Sequence, residues 1–383
     1  MIVRVPPPRR VAGRPNRTAA KPGHRVRGPR RRVQRGVPAP IRRTHRAVGT
    51  HAVAAEPRGA LDAVVAPVIA RAAARRVGRI LDLLKLPSGW RTRFAPAPTG
   101  MLHLGHVVNA IYVWGIARAN DGHVVLRIED HDHSRCRPEY EQALLDDLDW
   151  LGFVPDEGAT AEFRAGASGL RQSDNEWRYA AAITALELRD LVYTCRCSRS
   201  DMAQFVPDIP NAEMRYPGTC RDASVPGDAS RQRRVRLDGP LERFFDLRLG
   251  PQEQVPSAQC GDLLVRDRLG QWTYQFAVTV DDLEQRIDVV IRGEDLLSST
   301  GRQRALARLL GRRTPLQFLH HPLVRKPSGE KLSKSAGDAG VRELRAAGRS
   351  RAEVLGLAAH LAGLITQPRA LDQEEIPELF RQG

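Results

Sequence analysis

The chain has 383 residues, of which 42% are hydrophobic and 27% charged, and its formal net charge is +16. This length is enough for two or three domains, and the apolar fraction is enough for an ordinary core. Neither a run of about 18 uninterrupted apolar residues nor an apolar segment before a small-residue cleavage site is present, so the sequence predicts no membrane span and no secretion. We expect a cytoplasmic protein.

The positive charge is concentrated at the N-terminus. Residues 1–50 hold 15 Lys or Arg and no acidic residue, which leaves 45 basic and 44 acidic residues in 51–383. Because this Pro-, Gly- and Arg-rich stretch has no apolar periodicity, we expect residues 1–88 to form a basic, disordered extension. Three origins stay open for it: a nucleic-acid-binding arm, an organellar targeting peptide, or upstream DNA translated from a misassigned start codon.

The clearest local pattern is RTRFAPAPTGMLHLGHVVNAIYVWGIARANDGHVVLRIEDHD, at residues 91–132. A short strand is followed by a proline-rich loop, by apolar residues at helical spacing from Leu104 to the breaker Asn120-Asp121-Gly122, and by the buried strand HVVLRIED. A strand, loop, helix and strand in this order predict an α/β fold with a parallel sheet.

The motif HLGH, His103 to His106, lies where the loop becomes the helix. A helix N-terminus binds phosphate through free backbone N–H groups and its positive dipole end. Two imidazoles can add hydrogen bonds to oxygens that gain charge in a phosphoryl transition state, and Gly105 lets a flat base lie against the backbone. The motif predicts a nucleoside triphosphate site, although an ordinary helix start remains compatible with these four residues alone.

Three cysteines are expected to converge from two short segments, YTCRCSRSD and MRYPGTCRD. Cys195 and Cys197 are too close in the chain to pair well, and a cytosolic enzyme has little use for disulfides. With Cys220 they indicate either a zinc site or three unrelated buried thiols, and no histidine between 195 and 220 offers a fourth ligand. Cys136 and Cys260 lie outside this pattern and are expected to be small core residues.

Lysine is rare in this chain, yet three of its five lysines fall in KPSGEKLSKS, residues 326–335. HLGH and KLSKS, about 225 residues apart, together resemble the signature pair of class I aminoacyl-tRNA synthetases. The resemblance implies a Rossmann-like catalytic domain at 89–335 that binds ATP, with Mg²⁺, through His103, Gly105, His106, Lys331, Ser333 and Lys334.

Lysine suits the role that the resemblance gives to this loop. In the family the lysine loop closes over ATP, and its second lysine, Lys334 here, steadies the leaving pyrophosphate. A mobile loop can use a compact, flexible point charge there, whereas a planar guanidinium would impose its own fork geometry. His103, His106 and Lys334 are therefore the expected catalytic residues.

RFAPAPTG, RIED and VIRGEDLL go further and resemble the glutamyl branch of class I. A glutamate site needs arginines against two carboxylates and an acidic residue against the ammonium. The resemblance implies a site made of Arg93, Ala95, Ala97, Glu129, Tyr274 and Arg292. Which arginine binds which carboxylate stays open, and Ala97 stands where the family usually has serine, which removes a hydroxyl contact.

The cysteine pattern, C-x-C and then Y-x-x-x-C, is similar to the zinc site of the glutamyl-queuosine tRNA(Asp) synthetases, in which a tyrosine oxygen completes the tetrahedron. The resemblance therefore implies a Zn²⁺ site in an insertion at about residues 193–225. Its expected ligands are Cys195, Cys197, Tyr216 and Cys220.

The 48 residues after Ser335 predict two or three helices in segment 336–383, too few for a separate anticodon-binding domain. Truncation of this kind is typical of the glutamyl-queuosine enzymes, which resemble this chain over about residues 90–370. The resemblance implies that the protein activates glutamate with ATP without tRNA and then transfers it to queuosine in the anticodon loop of tRNA(Asp). We expect a monomer.

Two other functions stay open. One is a glutamate-activating enzyme with another acceptor, either a miniature glutamyl-tRNA synthetase or a carrier-protein ligase. The other is a catalytically silent RNA-binding relative.

Overall fold

The computed structural model describes residues 86–203, 214–223, 225, 232–239, 241–324 and 340–381, all within the unit formed by residues 56–383. The expected basic extension up to residue 85 and the lysine motif at 331–334 lie outside these residues. The strands are β1 (Arg91–Phe94), β2 (His123–Leu126), β3 (Val192–Cys195), β4 (Gln232–Val235), β5 (Glu242–Asp246), β6 (Gly250–Gln254), β7 (Leu263–Arg266), β8 (Val289–Gly293) and β9 (Gln317–His321).

Helices alternate with these strands along most of the described chain. The α-helices are α1 (Leu104–Ala119), α2 (Pro138–Leu151), α3 (Thr160–Ala165), α4 (Glu176–Glu187), α5 (Arg199–Ala203), α6 (Pro256–Gln259), α7 (Tyr274–Glu284), α8 (Thr300–Leu309), α9 (Val341–Ala346) and α10 (Arg351–Leu361). Short 3-10 helices occupy Gln172–Asn175, Glu294–Ser299, Gln373–Glu375 and Pro377–Leu379.

Parallel strands form the centre of the fold, as the sequence predicted. β1 pairs in parallel with β2, β8 pairs in parallel with β9, and β9 pairs in parallel with β5, while β6 closes the far edge in antiparallel orientation. The two groups of strands meet where the backbone N–H of Asp288 donates to the carbonyl of Arg91 at 2.8 Å. The carboxyl ends of β1, β2, β8 and β9 therefore lie along one edge, where ligands bind in open α/β sheets.

Helix α1 is apolar on nearly all sides, which is typical of a helix buried between two layers. It packs against β8 on one side and against the C-terminal helix α10 on the other. Phe380 lies over its middle, and a Cβ added to Gly115 would come within 2.3 Å of that ring. The predicted C-terminal helices thus share one hydrophobic core with the strand and helix that carry the first sequence motifs.

A second, smaller sheet contains β3, β4 and β7 in antiparallel order. Cys195 ends β3, and the other two cysteines of the pattern come from the loops that follow. Among the residues that the structure describes, no helix has the length and apolar character needed to cross a membrane.

The close packing of the C-terminal segment can be tested at Gly356 in α10. Alanine is favoured over glycine in a helix by about 1 kcal/mol. A Cβ at this position, however, would lie 1.6 Å from the carbonyl oxygen of Arg369, a backbone atom that cannot rotate away. We expect Gly356→Ala to lower the free energy of unfolding by roughly 2–3 kcal/mol, measured by urea denaturation.

Gly169→Ala is the matched control, because the nearest atom to its added Cβ is the Arg178 guanidinium at 3.6 Å. Its free energy of unfolding should stay close to that of the unchanged protein. Stabilisation by Gly356→Ala, as helix propensity alone predicts, would contradict the packing described above.

Candidate active site

A cavity of about 290 Å³ lies at the carboxyl ends of the central strands. The structure brings eight of the predicted site residues to its wall, namely Arg93, Ala95, His103, Gly105, His106, Glu129, Tyr274 and Arg292. Ala97 is not part of the lining, and Lys331, Ser333 and Lys334 lie outside the described residues. The two sequence motifs of the N-terminal half and the later VIRGED motif thus meet in one space.

The HLGH residues cap helix α1 with their own side chains. His103 is the N-cap residue, and its Nδ1 accepts the backbone N–H of Gly105 at 3.0 Å. Nδ1 of His106 accepts the backbone N–H of His103 at 3.1 Å, and the two ring centroids lie 4.0 Å apart. Because Nδ1 accepts in both rings, each neutral imidazole carries its proton on Nε2. Two N–H donors and a helix N-terminus form a suitable site for an anion.

Gly105 leaves room for this arrangement. A Cβ at position 105 would lie 2.8 Å from Cε1 of His103, closer than side chains tolerate. The glycine between the two histidines therefore lets the first imidazole fold back over the helix start.

A buried cluster of charged side chains fixes Arg93 and Glu129, which line the cavity. Arg127 is fully buried and donates to Glu129 Oε1 at 2.8 Å and to Asp282 Oδ1 at 2.8 Å. The same Asp282 oxygen accepts a hydrogen bond from Nε of Arg93 at 3.1 Å. Burial by itself raises the pKa of Asp282, but Arg93 and Arg127 outweigh it and hold that pKa below its usual value. Asp282 therefore stays charged, and its hydrogen bonds to Arg93 and Arg127 fix these side chains relative to one another.

Arg292 differs from Arg93 and Arg127, because the side chains to which it donates hydrogen bonds are neutral. It is 4% exposed and donates to the side chains of Gln303 at 2.7 Å, Thr300 at 2.9 Å and His320 at 3.1 Å. Among the described residues, no carboxylate lies within ion-pair distance of Arg292. Burial lowers the pKa of its guanidinium, as expected for a cation without a close counter-charge.

His320 keeps Arg292 in place as a neutral ring. Its Nδ1 lies 2.7 Å from Oδ2 of Asp246, and its Nε2 faces the Arg292 donor, so Nδ1 carries the proton and Nε2 accepts. Burial lowers the pKa of His320, which is consistent with this tautomer. Asp246 and His320 are both completely buried. The guanidinium of Arg292 thus has a fixed orientation and an unbalanced charge.

Asn109 and His321 are two further polar side chains of the lining that were not predicted from the sequence. Nε2 of His321 lies 3.1 Å from Oδ1 of Asn109 on α1, and its ring stacks on Tyr112 at 4.9 Å between centroids. Burial lowers the pKa of His321 to about 4, so this ring is neutral at physiological pH. Burial also raises the pKa of Tyr274, so its hydroxyl stays protonated. The doublet His320-His321 at the end of an apolar strand was the available sequence signal.

The cysteine pattern forms a separate, buried cluster. The sulfur atoms of Cys195, Cys197 and Cys220 all lie within 4.8 Å of one another, with Cys197 and Cys220 at 3.6 Å. The hydroxyl of Tyr216 lies 3.6 Å from Cys195 Sγ. Four ligands around a tetrahedral ion with metal–sulfur bonds near 2.3 Å are separated by about 3.8 Å, so this donor set has the spacing of a metal site.

Arg234 lines the other side of this cluster. Its guanidinium carbon lies 3.8 Å from the centroid of the Tyr216 ring, and its Nε lies 3.4 Å from Cys195 Sγ. Of the two remaining cysteines, Cys260 is buried as predicted. The prediction for Cys136 was wrong: this side chain is half-buried and borders a surface cavity, because it follows the exposed turn at Asp132.

Comparisons with known proteins show the family of this chain. The family described as tRNA synthetases class I (E and Q), catalytic domain, matches residues 90–363. A glutamyl-Q tRNA(Asp) synthetase of Symbiobacterium thermophilum is 38% identical over 299 residues, which cover 75% of this chain and 91% of the relative. Another from Cupriavidus metallidurans is 42% identical over 253 residues, 65% of this chain and 78% of the relative.

The fold is also shared with a solved structure. A glutamate tRNA ligase from Elizabethkingia meningosepticum, determined in complex with its amino acid, aligns over 77% of this chain with a TM-score of 0.60 and 25% identity. The aligned part spans 64% of the length of that ligase. The chain therefore belongs to the class I tRNA synthetases for glutamate and glutamine and, within them, to the family of the glutamyl-Q tRNA(Asp) synthetases.

Proposed function

We propose that this protein activates glutamate with ATP in the absence of tRNA and transfers the glutamyl group to queuosine in the anticodon loop of tRNA(Asp). The observation that carries the proposal is the unbalanced charge of Arg292 beside the HLGH motif, in a chain whose relatives are named glutamyl-Q tRNA(Asp) synthetases. A buried cation that has no carboxylate partner among the described residues favours an anionic amino acid, since an incoming carboxylate offsets its desolvation penalty.

Each charged group of glutamate has a partner of opposite charge in the cavity wall. Arg93 and Arg292 bind the two carboxylates of glutamate, Glu129 binds the ammonium, and the Tyr274 hydroxyl adds a hydrogen bond. Ala95 supplies a small wall. Ala97, in place of the family serine, offers no hydroxyl to the substrate.

ATP occupies the neighbouring end of the cavity, at the N-terminus of α1. One carboxylate oxygen of glutamate attacks the α-phosphorus, the bond to the bridging oxygen breaks, and pyrophosphate leaves. His103 and His106 donate through Nε2 to phosphate oxygens as charge develops. Lys331, Ser333 and Lys334 would complete the site, with Lys334 at the leaving pyrophosphate, and Mg²⁺ bound with ATP would neutralise phosphate charge.

The second step needs only a hydroxyl of the RNA. A hydroxyl of the queuosine diol attacks the carbonyl carbon of the adenylate, its proton passes to water, and AMP departs with the electrons of the broken carbon–oxygen bond of the mixed anhydride. This step forms a glutamyl ester on the modified base.

The cysteine cluster is proposed to hold Zn²⁺ through Cys195, Cys197, Tyr216 and Cys220 as a closed structural site. The ion would stabilise the fold of the insertion at 193–225, within a catalytic domain at 89–335 that is flanked by the basic extension 1–88 and the helical segment 336–383.

The identity of the molecule that accepts the glutamyl group distinguishes this proposal from the alternatives. We expect labelled glutamate on tRNA(Asp) that contains queuosine, with the label on an anticodon-loop fragment after nuclease digestion. Periodate treatment of the tRNA, which destroys the cis-diol of queuosine, should abolish labelling, and tRNA(Asp) without queuosine should stay unlabelled. Label at the 3′-terminal adenosine of tRNA(Glu) would instead indicate a miniature glutamyl-tRNA synthetase.

The zinc proposal can be tested by metal analysis. The purified protein should contain one equivalent of zinc per chain, and Cys197→Ser should lose nearly all of it because one of four ligands is removed. Tyr216→Phe keeps the ring but removes the oxygen ligand, so it should release zinc to a chelator faster. Cys260→Ser, a buried cysteine outside the cluster, is the control and should retain the metal. Zinc content unchanged by Cys197→Ser would rule out this ligand set.

A further inference from the structure

Trp177 is the most exposed of the five tryptophans of this chain. It is 65% exposed, whereas Trp90, Trp114 and Trp272 are at most 7% exposed and Trp150 is partly buried. A single exposed apolar side chain is common on protein surfaces, so its exposure alone indicates little. Its position relative to the active site is what makes it informative.

Trp177 lies in the first turn of α4, four residues after Ser173 and directly after Glu176. The preceding 3-10 helix is tied to the loop after β2 by a hydrogen bond from the backbone N–H of Ser173 to Asp130 Oδ1, at 2.8 Å. Asp130 directly follows Glu129 of the cavity wall. Glu176, next to Trp177, contacts Nε2 of His133 at 3.1 Å. Short contacts therefore join the segment that carries the tryptophan to the loop that carries Glu129.

A second cavity, of about 470 Å³, lies along this path. Its wall combines apolar and polar groups, which include Pro98, Asp130, His133, Arg137, Phe163 and Ser173. The backbone N–H of Arg137 donates to the carbonyl of Pro98 at 3.1 Å, so this cavity borders the loop that also forms the amino-acid site. Its volume lies in the range of small-ligand pockets and is large enough for a nucleotide.

The tryptophan ring packs against an arginine that is itself held by a hydrogen bond. The guanidinium of Arg178 lies 5.4 Å from the ring centroid and is itself fixed by a hydrogen bond to the Gly169 carbonyl at 2.9 Å. Two of the three arginines in the wall of the second cavity, Arg164 and Arg171, are paired with carboxylates, and Arg137 donates to backbone carbonyls. This surface is therefore suited to stacking rather than to neutralising phosphate.

We propose that Trp177 is a stacking platform for an unpaired base of the RNA substrate, and that a neighbouring nucleotide enters the cavity between Pro98 and His133. Unpaired bases in RNA loops are recognised by stacking on aromatic rings and arginine planes, and an acceptor nucleoside must approach the adenylate across this edge of the sheet. The inference rests on the proposed function, because it takes the substrate to be an RNA loop.

The test compares Trp177→Ala with Trp177→Tyr and with Leu188→Ala, using queuosine-containing tRNA(Asp). Loss of one stacked base should raise the KM for tRNA by roughly 5- to 150-fold in Trp177→Ala, and tyrosine should restore most of the affinity. The salt dependence of tRNA binding should keep its slope, since no phosphate contact is lost. Leu188 is 83% exposed at the far end of the same helix, and Leu188→Ala should bind tRNA normally.

A second readout uses the intrinsic fluorescence of the protein. Addition of tRNA should quench the emission of Trp177, so the quenching should be much smaller in Trp177→Phe. Equal quenching in the two proteins, or a KM for tRNA unaffected by Trp177→Ala, would refute the platform.

Pyrophosphate exchange separates this inference from the proposed function. Glutamate-dependent exchange of pyrophosphate into ATP needs no RNA and should be the same in all four proteins. Absence of exchange in the unchanged protein would overturn the proposed function itself. Normal exchange together with unaltered tRNA binding in Trp177→Ala would overturn only the stacking platform.

Discussion

The active site depends on one buried carboxylate, that of Asp282. It lies on α7 and accepts hydrogen bonds from Arg93 on β1 and from Arg127 just after β2. Without it, two buried guanidinium groups would face each other with Glu129 and Asp281 as their remaining close counter-charges, and removal of one partner from a buried ion pair costs about 3–5 kcal/mol. The same residue therefore joins three elements of the fold and holds the floor of the amino-acid site.

This cluster contrasts with Arg292 on the opposite wall. The first group satisfies its charges within the protein, whereas Arg292 is held by His320, Thr300 and Gln303, all neutral. Asp246 accepts a hydrogen bond from Nδ1 of His320 and forms no ion pair with the guanidinium of Arg292. The fold thus keeps a cation dry and oriented at the cavity surface, which prepares the site for an anionic ligand at the expense of some stability. The difference between the two walls is the physical basis of the proposed preference for glutamate.

Local motifs in the sequence predicted much of the site. HLGH, RIED and VIRGED each lie at the end of a strand or the start of a helix, where a short pattern determines the local geometry. The convergence of the three cysteines was predicted from their spacing in the sequence. Arg127, Asp282 and His320 were missed because their roles depend on contacts between elements that are distant in the sequence. Charged residues inside apolar runs, such as the arginine of VVLRIED, were the signal that could have found them. The roles of Lys331 and Lys334 stay predictions.

The most direct test of the charge argument is calorimetric binding of glutamate and of its two amides, glutamine and isoglutamine, each of which lacks one carboxylate. The unchanged protein should bind glutamate at least about tenfold more tightly than either amide, because each of Arg93 and Arg292 then donates to a carboxylate rather than to a neutral amide. Arg292→Gln should weaken glutamate binding by roughly 30-fold or more. Equal affinity for glutamate and both amides, or an Arg292→Gln protein that binds glutamate normally, would contradict the account.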